Sequence, residues 1–239
     1  MIKFSKEIIE LAFNKMPISS IVILCSMGVD SVAATHFLNK TLKKNPRLLG
    51  FPDEFDNIRT WHFNHNLRPQ NDLMQESYLK FNEKLEKIKY SFVYKLKCAS
   101  DTEDDFRKER LKIIKDNNNS NTMFITAHHL DDATESYMLN VFRGKEGFLP
   151  IPFITNVGNS LIVHPFIFSK KSDFIQYAER NDILKFVVED ETNLITKGSR
   201  RNFIRNDILP LIKEQNMGLD TIVKKKMNQR LFLEMIKND

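Results

Sequence analysis

The sequence predicts an α/β protein with a mainly parallel, doubly wound sheet and a short helical C-terminal tail. Apolar runs rich in β-branched and aromatic residues recur along the chain, segments of helical periodicity separate them, and polar clusters stand directly behind several of the runs. The runs are IVILC (21–25), RTWHF (59–63), SFVYKL (91–96), TMFITA (122–127) and LIVHPF (161–166). Helical spacing occupies 29–43, 71–88, 102–116, 132–143 and 169–181. The run at 21–25 has no polar alternation, as expected of a central strand covered on both faces. From about 183 the alternation stops. RNDILPLIKEQ and LDTIVKKKMNQRLFLEMIKN read as two helices, broken by Pro210 and by Asn216 to Gly218. DNNNSN (116–121) reads as a short polar loop and not a domain linker. The organisation expected is a catalytic domain over 1–215 with a basic helical extension over 216–239.

The chain has 239 residues, 41% of them apolar and 10% aromatic, enough for one substantial core. No apolar run reaches the length of a bilayer span, and MIKFSKEIIE lacks the apolar stretch of a signal peptide, so a cytoplasmic location is expected. Cys25 and Cys98 are far apart and outside any CxxC pair, which argues against a disulfide framework, a zinc ribbon or a cysteine-ligated iron–sulfur cluster. Cys25 is most simply a small buried residue ending a strand. The net charge of +5 favours an anionic partner. Its excess gathers late, in KGSRRNFIR and KKKMNQR.

In a glycine-poor chain, CSMGVDS places a Ser-x-Gly-x-Asp-Ser turn between an apolar run and a helix. The first amides of a helix have no carbonyl partners, and the positive end of its dipole stands behind them, so Ser26, Met27, Gly28, Val29, Asp30 and Ser31 form a candidate anion cradle. Gly28 permits close approach, the Ser26 and Ser31 hydroxyls can bond phosphate oxygens, and Asp30 can hold a metal that neutralises them. An ordinary helix cap by Ser26 or Asp30 is the competing explanation.

Behind the second run, HFNHNLRPQND offers His65 and Arg68 in a loop. Hydrogen bonding accounts for His62 and His65 better than a metal does, since no cysteine or carboxylate stands at a matching spacing. Behind the fourth run, TAHHLDDATES is the densest polar cluster. A capping box would explain Asp132 and Glu135 but not His128, His129 and Asp131, for which a general base and a magnesium-binding carboxylate explain more. Zinc through His128 and Asp132 explains less. The third cluster, EDETNLITKGSRRNFIRNDILP, puts Arg201 and Arg205 on one helical face, suited to a phosphate or a developing anion. The alternative is surface cations or partners for Glu189 and Asp190.

Taken together these clusters resemble the N-type ATP pyrophosphatases of the PP-loop superfamily, whose loop reads SGGxDS, and within them the tRNA(Ile)-lysidine synthases. The match runs in order through SMGVDS, HFNHNLR, the arginines of FRKERL (Arg107 and Arg110), TAHHLDDATES, FRGKEGFLPIPF, HPFIFSKKSDFIQYAE, DETN and RRNFIRNDILP, over roughly 17 to 212. The resemblance implies the adenine nucleotide alpha hydrolase-like fold and adenylation of the wobble cytidine of tRNA(Ile) by ATP. Free L-lysine then displaces AMP. It implies that Mg2+ and Asp30 hold the pyrophosphate, that Asp132 binds and deprotonates the lysine amine with His128 beside it, and that Arg201 and Arg205 meet tRNA phosphate or AMP. His65, Arg68, Arg107, Arg110, Asp131, Glu135, Lys224, Lys225 and Lys226 are the further candidates for substrate and tRNA contact. Two departures stand out. Met27 replaces the first loop glycine, so its side chain must point away from the phosphates or weaken ATP binding. Only about 25 residues follow the catalytic region, where the family usually carries further tRNA-gripping domains, so a minimal form or a second subunit is expected. Thiolation of tRNA, which uses cysteines the chain lacks in pairs, and a non-catalytic nucleotide- or RNA-binding module are the alternatives.

Overall fold

A computed structural model gives the fold and describes residues 1–52, 57–88, 90–98, 102–116, 121–189, 199–215 and 217–237. The first strand, β1 (Ser20–Leu24), shows why the sheet is covered on both sides. Ile21 and Ile23 enter one hydrophobic cluster and Val22 enters another, since successive side chains leave opposite faces. The second cluster joins Val22 to Trp61, Phe124 and Ile114, the last from α4 (Glu103–Asp116). The larger cluster takes Ile8 and Ile9 from α1 (Lys6–Lys15), Leu38 from α2 (Val29–Lys44), Tyr78 and Phe81 from α3 (Pro69–Asn82) and Phe174 from α6 (Lys171–Arg180).

The sheet has six strands in the order β3-β2-β1-β4-β6-β5. Here β2 is Ile58–Asn64, β3 Tyr90–Lys95, β4 Thr122–Ile125, β5 Ile154–Val157 and β6 Ser160–Val163. Every pairing is parallel except β5 with β6. Ile21 is the register point of the centre, opposite Ile58 on one side and Met123 on the other. The chain leaves β1 toward β2 and β3, then returns through α4 to β4 on the far side of β1. That reversal opens a crevice at the carboxyl ends of β1 and β4, where such sheets bind ligands.

The strands and helices read from the sequence are present within a few residues, except that the helix expected over 71–88 ends at Asn82. Two elements were not expected, α1 and β5. The latter is a half-exposed edge strand that turns into β6 through Gly158, whose φ of 59° suits a two-residue hairpin. The tail also differs. Pro210 does not break it: α7 (Arg200–Phe203), a π segment (Ile204–Ile208) and α8 (Leu209–Glu214) run on without interruption. The Leu209 N–H reaches back five residues to the Ile204 carbonyl, and this wider turn sets Pro210 in the first turn of α8, where a missing N–H costs nothing. Beyond it, α9 (Leu219–Ile236) buries Val223, Met227 and Leu231 in the main cluster and packs on α5 (Leu130–Phe142). Among the described residues no helix is long and apolar enough to cross a membrane.

Candidate functional site

The turn after β1 is held by its own atoms. Cys25 N–H donates to the Trp61 carbonyl at 2.9 Å, Ser26 N–H donates to Ser31 Oγ at 3.1 Å, and Ser31 Oγ–H donates to the Gly28 carbonyl at 2.9 Å. Cys25 is the buried residue just past the strand. The N-cap is Gly28, so the capping explanation through Ser26 or Asp30 is corrected. Gly28 has φ −66°, open to any residue, and a Cβ there meets only Ser26 Oγ at 3.8 Å. The fold does not need this glycine, and the space its Cβ would take remains open at the helix start.

Met27 does need explaining, because its φ is 70°, a left-handed conformation that costs a side-chain-bearing residue about 1 kcal/mol or more. Its side chain is fully buried, with Sδ 3.6 Å from Cys25 Sγ, and so points into the core and away from the turn. Its carbonyl accepts from Val188 N–H at 3.0 Å, tying down the segment before 190. Burial of the thioether offsets the strain.

Across the crevice, β4 ends and α5 begins with His129 as N-cap. Asp132 Oδ2 accepts from the His129 N–H at 3.0 Å. A capping carboxylate is therefore present, but Asp132 closes the box from the third helical position and Glu135 takes no part, which corrects the register expected. The His129 ring is 6% exposed and stands among carboxylates, with Nε2 3.5 Å from Asp30 and 3.6 Å from Asp132, and Nδ1 3.6 Å from Asp131. Burial pushes its pKa down, but Asp132, Asp30 and Asp131 outweigh burial and raise it to about 9, so it is an imidazolium at neutral pH. Asp30 Oδ1 is buried without a hydrogen-bond partner.

Arg201 and Arg205 close the site from the tail. Arg205 grips Glu135 with two bonds, Nε to Oε1 at 2.6 Å and Nη2 to Oε2 at 2.8 Å, while Arg201 Nε donates to Oε2 at 3.0 Å. Each guanidinium also reaches Asp132 Oδ1 at 3.4 Å. Their partners thus include Asp132 and Glu135; Asp190, like the rest of DETN and Lys197, lies outside the described residues. Burial would raise the Asp132 pKa, but His129, His128 and Arg201 hold its carboxyl far below the usual range. Such a carboxylate is suited to hold an ammonium. Asp131 accepts from Lys213 Nζ at 2.6 Å and from the Lys171 N–H at 2.8 Å. Of these, Asp131, Asp132, Glu135, Lys171, Arg205 and Lys213 line a recess of about 230 Å³ with Leu209 and Pro210 on one wall.

His128 faces a different partner. Its Nδ1 is 2.8 Å from Thr126 Oγ1 and 3.1 Å from Nδ1 of His164, which is itself 2.6 Å from Thr126 Oγ1. Burial lowers the pKa of both rings, and both are neutral. Of the remaining candidates, His65 stacks on Phe106 at 4.3 Å, Arg68 is exposed at the start of α3, Arg107 is exposed on α4, and Arg110 Nε donates to the Phe106 carbonyl at 3.3 Å. None of them lines the recess. Lys226 lies 5.4 Å over the Phe148 ring and 5.9 Å over Tyr137, Lys225 is exposed, and Lys224 adjoins Lys3 and Lys170. His164, Lys171 and Lys213 are not among the residues that the sequence singles out, and His129 is there only as one of a polar cluster. Only His129 had a legible signal, its place three residues before a carboxylate at a helix start.

The PP-loop domain family matches residues 2–212. Proteins named tRNA(Ile)-lysidine synthase from Wigglesworthia glossinidia brevipalpis, Histophilus somni (strain 2336) and Coxiella burnetii are 26%, 27% and 27% identical over 99%, 95% and 88% of the chain. Those stretches are 58%, 52% and 45% of the relatives, so the chain spans about half the length of the curated relatives it matches. Among solved structures, the U34-tRNA thiolase NcsA from Methanococcus maripaludis with its [4Fe-4S] cluster superposes with a TM-score of 0.64 at 14% identity, covering 95% of this chain and 78% of that one. That likeness concerns the fold.

Proposed function

We propose that this chain, which belongs to the PP-loop domain family, uses ATP to adenylate the wobble cytidine of a tRNA(Ile) with a CAU anticodon and joins free lysine to it, releasing pyrophosphate and AMP. The observation that carries the reading is the pairing across one crevice of an open helix N-terminus at Gly28 with a carboxylate–guanidinium cluster at Asp132, Glu135, Arg201 and Arg205. The relatives' names, over nearly the whole chain, supply the substrate class.

In this reading the amides at the start of α2 meet the ATP phosphates, and the room beside Gly28 admits them. Asp30, with its unpartnered buried oxygen, is the carboxylate that would hold Mg2+; the ion supplies neutralisation of the pyrophosphate charge. The cluster is nearly self-neutral without substrates, since His129, Arg201, Arg205 and Lys213 face Asp30, Asp131, Asp132 and Glu135. Substrates therefore enter by exchange of partners. A lysine ε-ammonium arriving at Asp132 and Glu135 replaces guanidinium with another cation, and the released Arg201 and Arg205 meet phosphate, for which their planar donors are suited. The amine, once deprotonated, attacks C2 of the adenylated cytidine; a C–N bond forms, the C2–O bond breaks, and AMP leaves with the electron pair.

Purified protein given ATP, Mg2+, lysine and the CAU tRNA is expected to yield a nucleoside heavier by lysine minus water, and none without lysine. A mass gain matching sulfur would transfer the protein to the thiolases, and no gain with active ATP binding would make it a binding module.

A further inference from the structure

The recess beside α5 has two unlike ends, and the His129 ring divides them. Its Nε2 lies 3.5 Å from Asp30 and 3.6 Å from Asp132, on the side of the phosphate turn, while its Nδ1 lies 3.6 Å from Asp131. That Nδ1 is buried without a hydrogen-bond partner among the described residues. At the first end Asp132 shares Arg201 and Arg205 with Glu135, and the two carboxylates are 12% and 3% exposed in their side chains. At the second, Asp131 pairs with Lys213 Nζ at 2.6 Å, and the lysine is half open, at 48%. Leu209 and Pro210 line the same space. The recess thus joins a closed anionic end, an apolar wall and an open end that carries one charge of each sign.

Lys213 reaches that open end because of the π turn. Arg201, Arg205, Leu209 and Lys213 are spaced by fours, and in a plain α-helix this spacing drifts by about 40° a step, or about 120° from Arg201 to Lys213. The bond from the Leu209 N–H to the Ile204 carbonyl takes in one residue more, which returns the drift by about 100°. The arginines on Glu135, Leu209 on the recess and Lys213 on Asp131 therefore form one stripe.

We propose that Asp131 and Lys213 form the subsite for the α-amino acid head of the lysine substrate, Asp131 taking the α-ammonium and Lys213 the α-carboxylate, with the ε-ammonium at Asp132 and Glu135. The spacing suits one molecule. Positions 131 and 135 lie one turn apart on α5, about 6 Å between Cβ atoms, and the five bonds from lysine Cα to Nζ span roughly 6 Å when extended. The methylenes then lie along Leu209 and Pro210. Entry is again an exchange of partners, because the Asp131–Lys213 pair opens around a zwitterion and two ion pairs replace one with no change in net charge. Asp131 keeps the Lys171 N–H, at 2.8 Å, which holds its carboxylate in place while the pair is open. The reacting nitrogen is left at the end that borders the phosphate turn.

The inference rests on the lysine-transfer reading, and the test separates the two. Equilibrium dialysis with radiolabelled L-lysine measures its affinity, and displacement by cadaverine or by 6-aminohexanoate measures analogues that lack the α-carboxylate or the α-amine. K213M is expected to weaken L-lysine binding at least about tenfold while cadaverine binds equally or more tightly, since Asp131 has lost its competing cation. D131N is expected to weaken L-lysine and cadaverine by a similar factor while 6-aminohexanoate binds equally or more tightly, since Lys213 is then released. K213R, which keeps the cation, is expected to restore most of the L-lysine affinity. A merely structural pair would move all three ligands together. A penalty shared by all three in K213M and D131N, or an L-lysine affinity indifferent to both substitutions, overturns the proposal. Wild-type protein that binds Mg·ATP but takes up no L-lysine would overturn the assigned reaction, and the subsite with it.

Discussion

At the scale of single residues the phosphate turn separates what the fold needs from what a ligand needs. Met27 is held left-handed by its buried side chain, whereas Gly28 adopts an ordinary conformation that alanine shares. In G28A, a poorer N-cap and a stiffer unfolded chain act in opposite senses, leaving stability within about 1 kcal/mol of wild type. Its Cβ would stand where phosphates are expected, so ATP affinity measured by calorimetry is predicted to fall at least tenfold. Unchanged affinity would return Gly28 to a purely structural role. His129 makes a second prediction, set by pH. Its folded pKa of about 9 lies above the ordinary 6.5, so its contribution is complete below 6.5 and is lost as the pH rises through 9. The gap corresponds to about 3 kcal/mol at most. Melting temperature in the presence of a chelator is predicted to decline over that interval, and H129N, which cannot titrate, is predicted to flatten the decline. Parallel curves for the two proteins would mean that His129 is not charged in the fold.

At the scale of elements, the tail segment α7-π-α8 is joined to α5 chiefly through the charges of Arg201 and Arg205. Both are 28% exposed in their side chains, against 3% for Glu135. Removing the Glu135 charge breaks the closest ion pairs of two partly buried guanidiniums, which by analogy with broken buried pairs costs about 3 kcal/mol. E135Q is therefore predicted to loosen the tail before the rest of the protein, seen as faster hydrogen exchange across 200–214 with β1 and β4 still protected. Uniform loss of protection would mean that the pair stabilises the whole fold and not this junction. The sequence made the junction only half legible. Three polar clusters behind strands were plain, because polar side chains at the mouth of a buried strand break the apolar pattern. Which charges would meet was not, since Glu135 and Arg205 are 70 residues apart and their pairing depends on how α5 and the tail cross. For the same reason the capping register was off by three: Asp132 fits the N-cap by residue type, and only the geometry of His129 shows that the helix starts earlier. The missed β5 carried too little apolar alternation to be read, and Pro210 misled because a π turn absorbs it.

At the scale of the whole molecule, the net charge of +5 is not spread evenly, and the structure divides the Lys224–Lys226 run into different environments. Lys226 is engaged over two aromatic rings. Lys224 meets Lys3, whose backbone N–H is pinned to Ser169 Oγ at 2.7 Å, and Lys170 from the start of α6; its pKa is lowered, first by Lys3. Like charges brought together by three separate chain segments are relieved by an anion, and an RNA phosphate meets that description. If tRNA is gripped there, each phosphate contact releases counterions, so affinity falls with salt by a log–log slope of about 0.7 to 0.9 per contact. The variant K3A/K224A/K225A is predicted to flatten that slope by about two units and to weaken isoleucine and unrelated tRNAs alike, because phosphate contacts carry no sequence information. K226A is predicted to leave the slope nearly unchanged, its ammonium being already engaged by Phe148 and Tyr137. Fluorescence anisotropy of labelled tRNA over a series of KCl concentrations reads both. Equal slopes for the triple variant and the wild type would place the tRNA on another face, with Arg68, Arg107 and Arg110 as the next cations to remove.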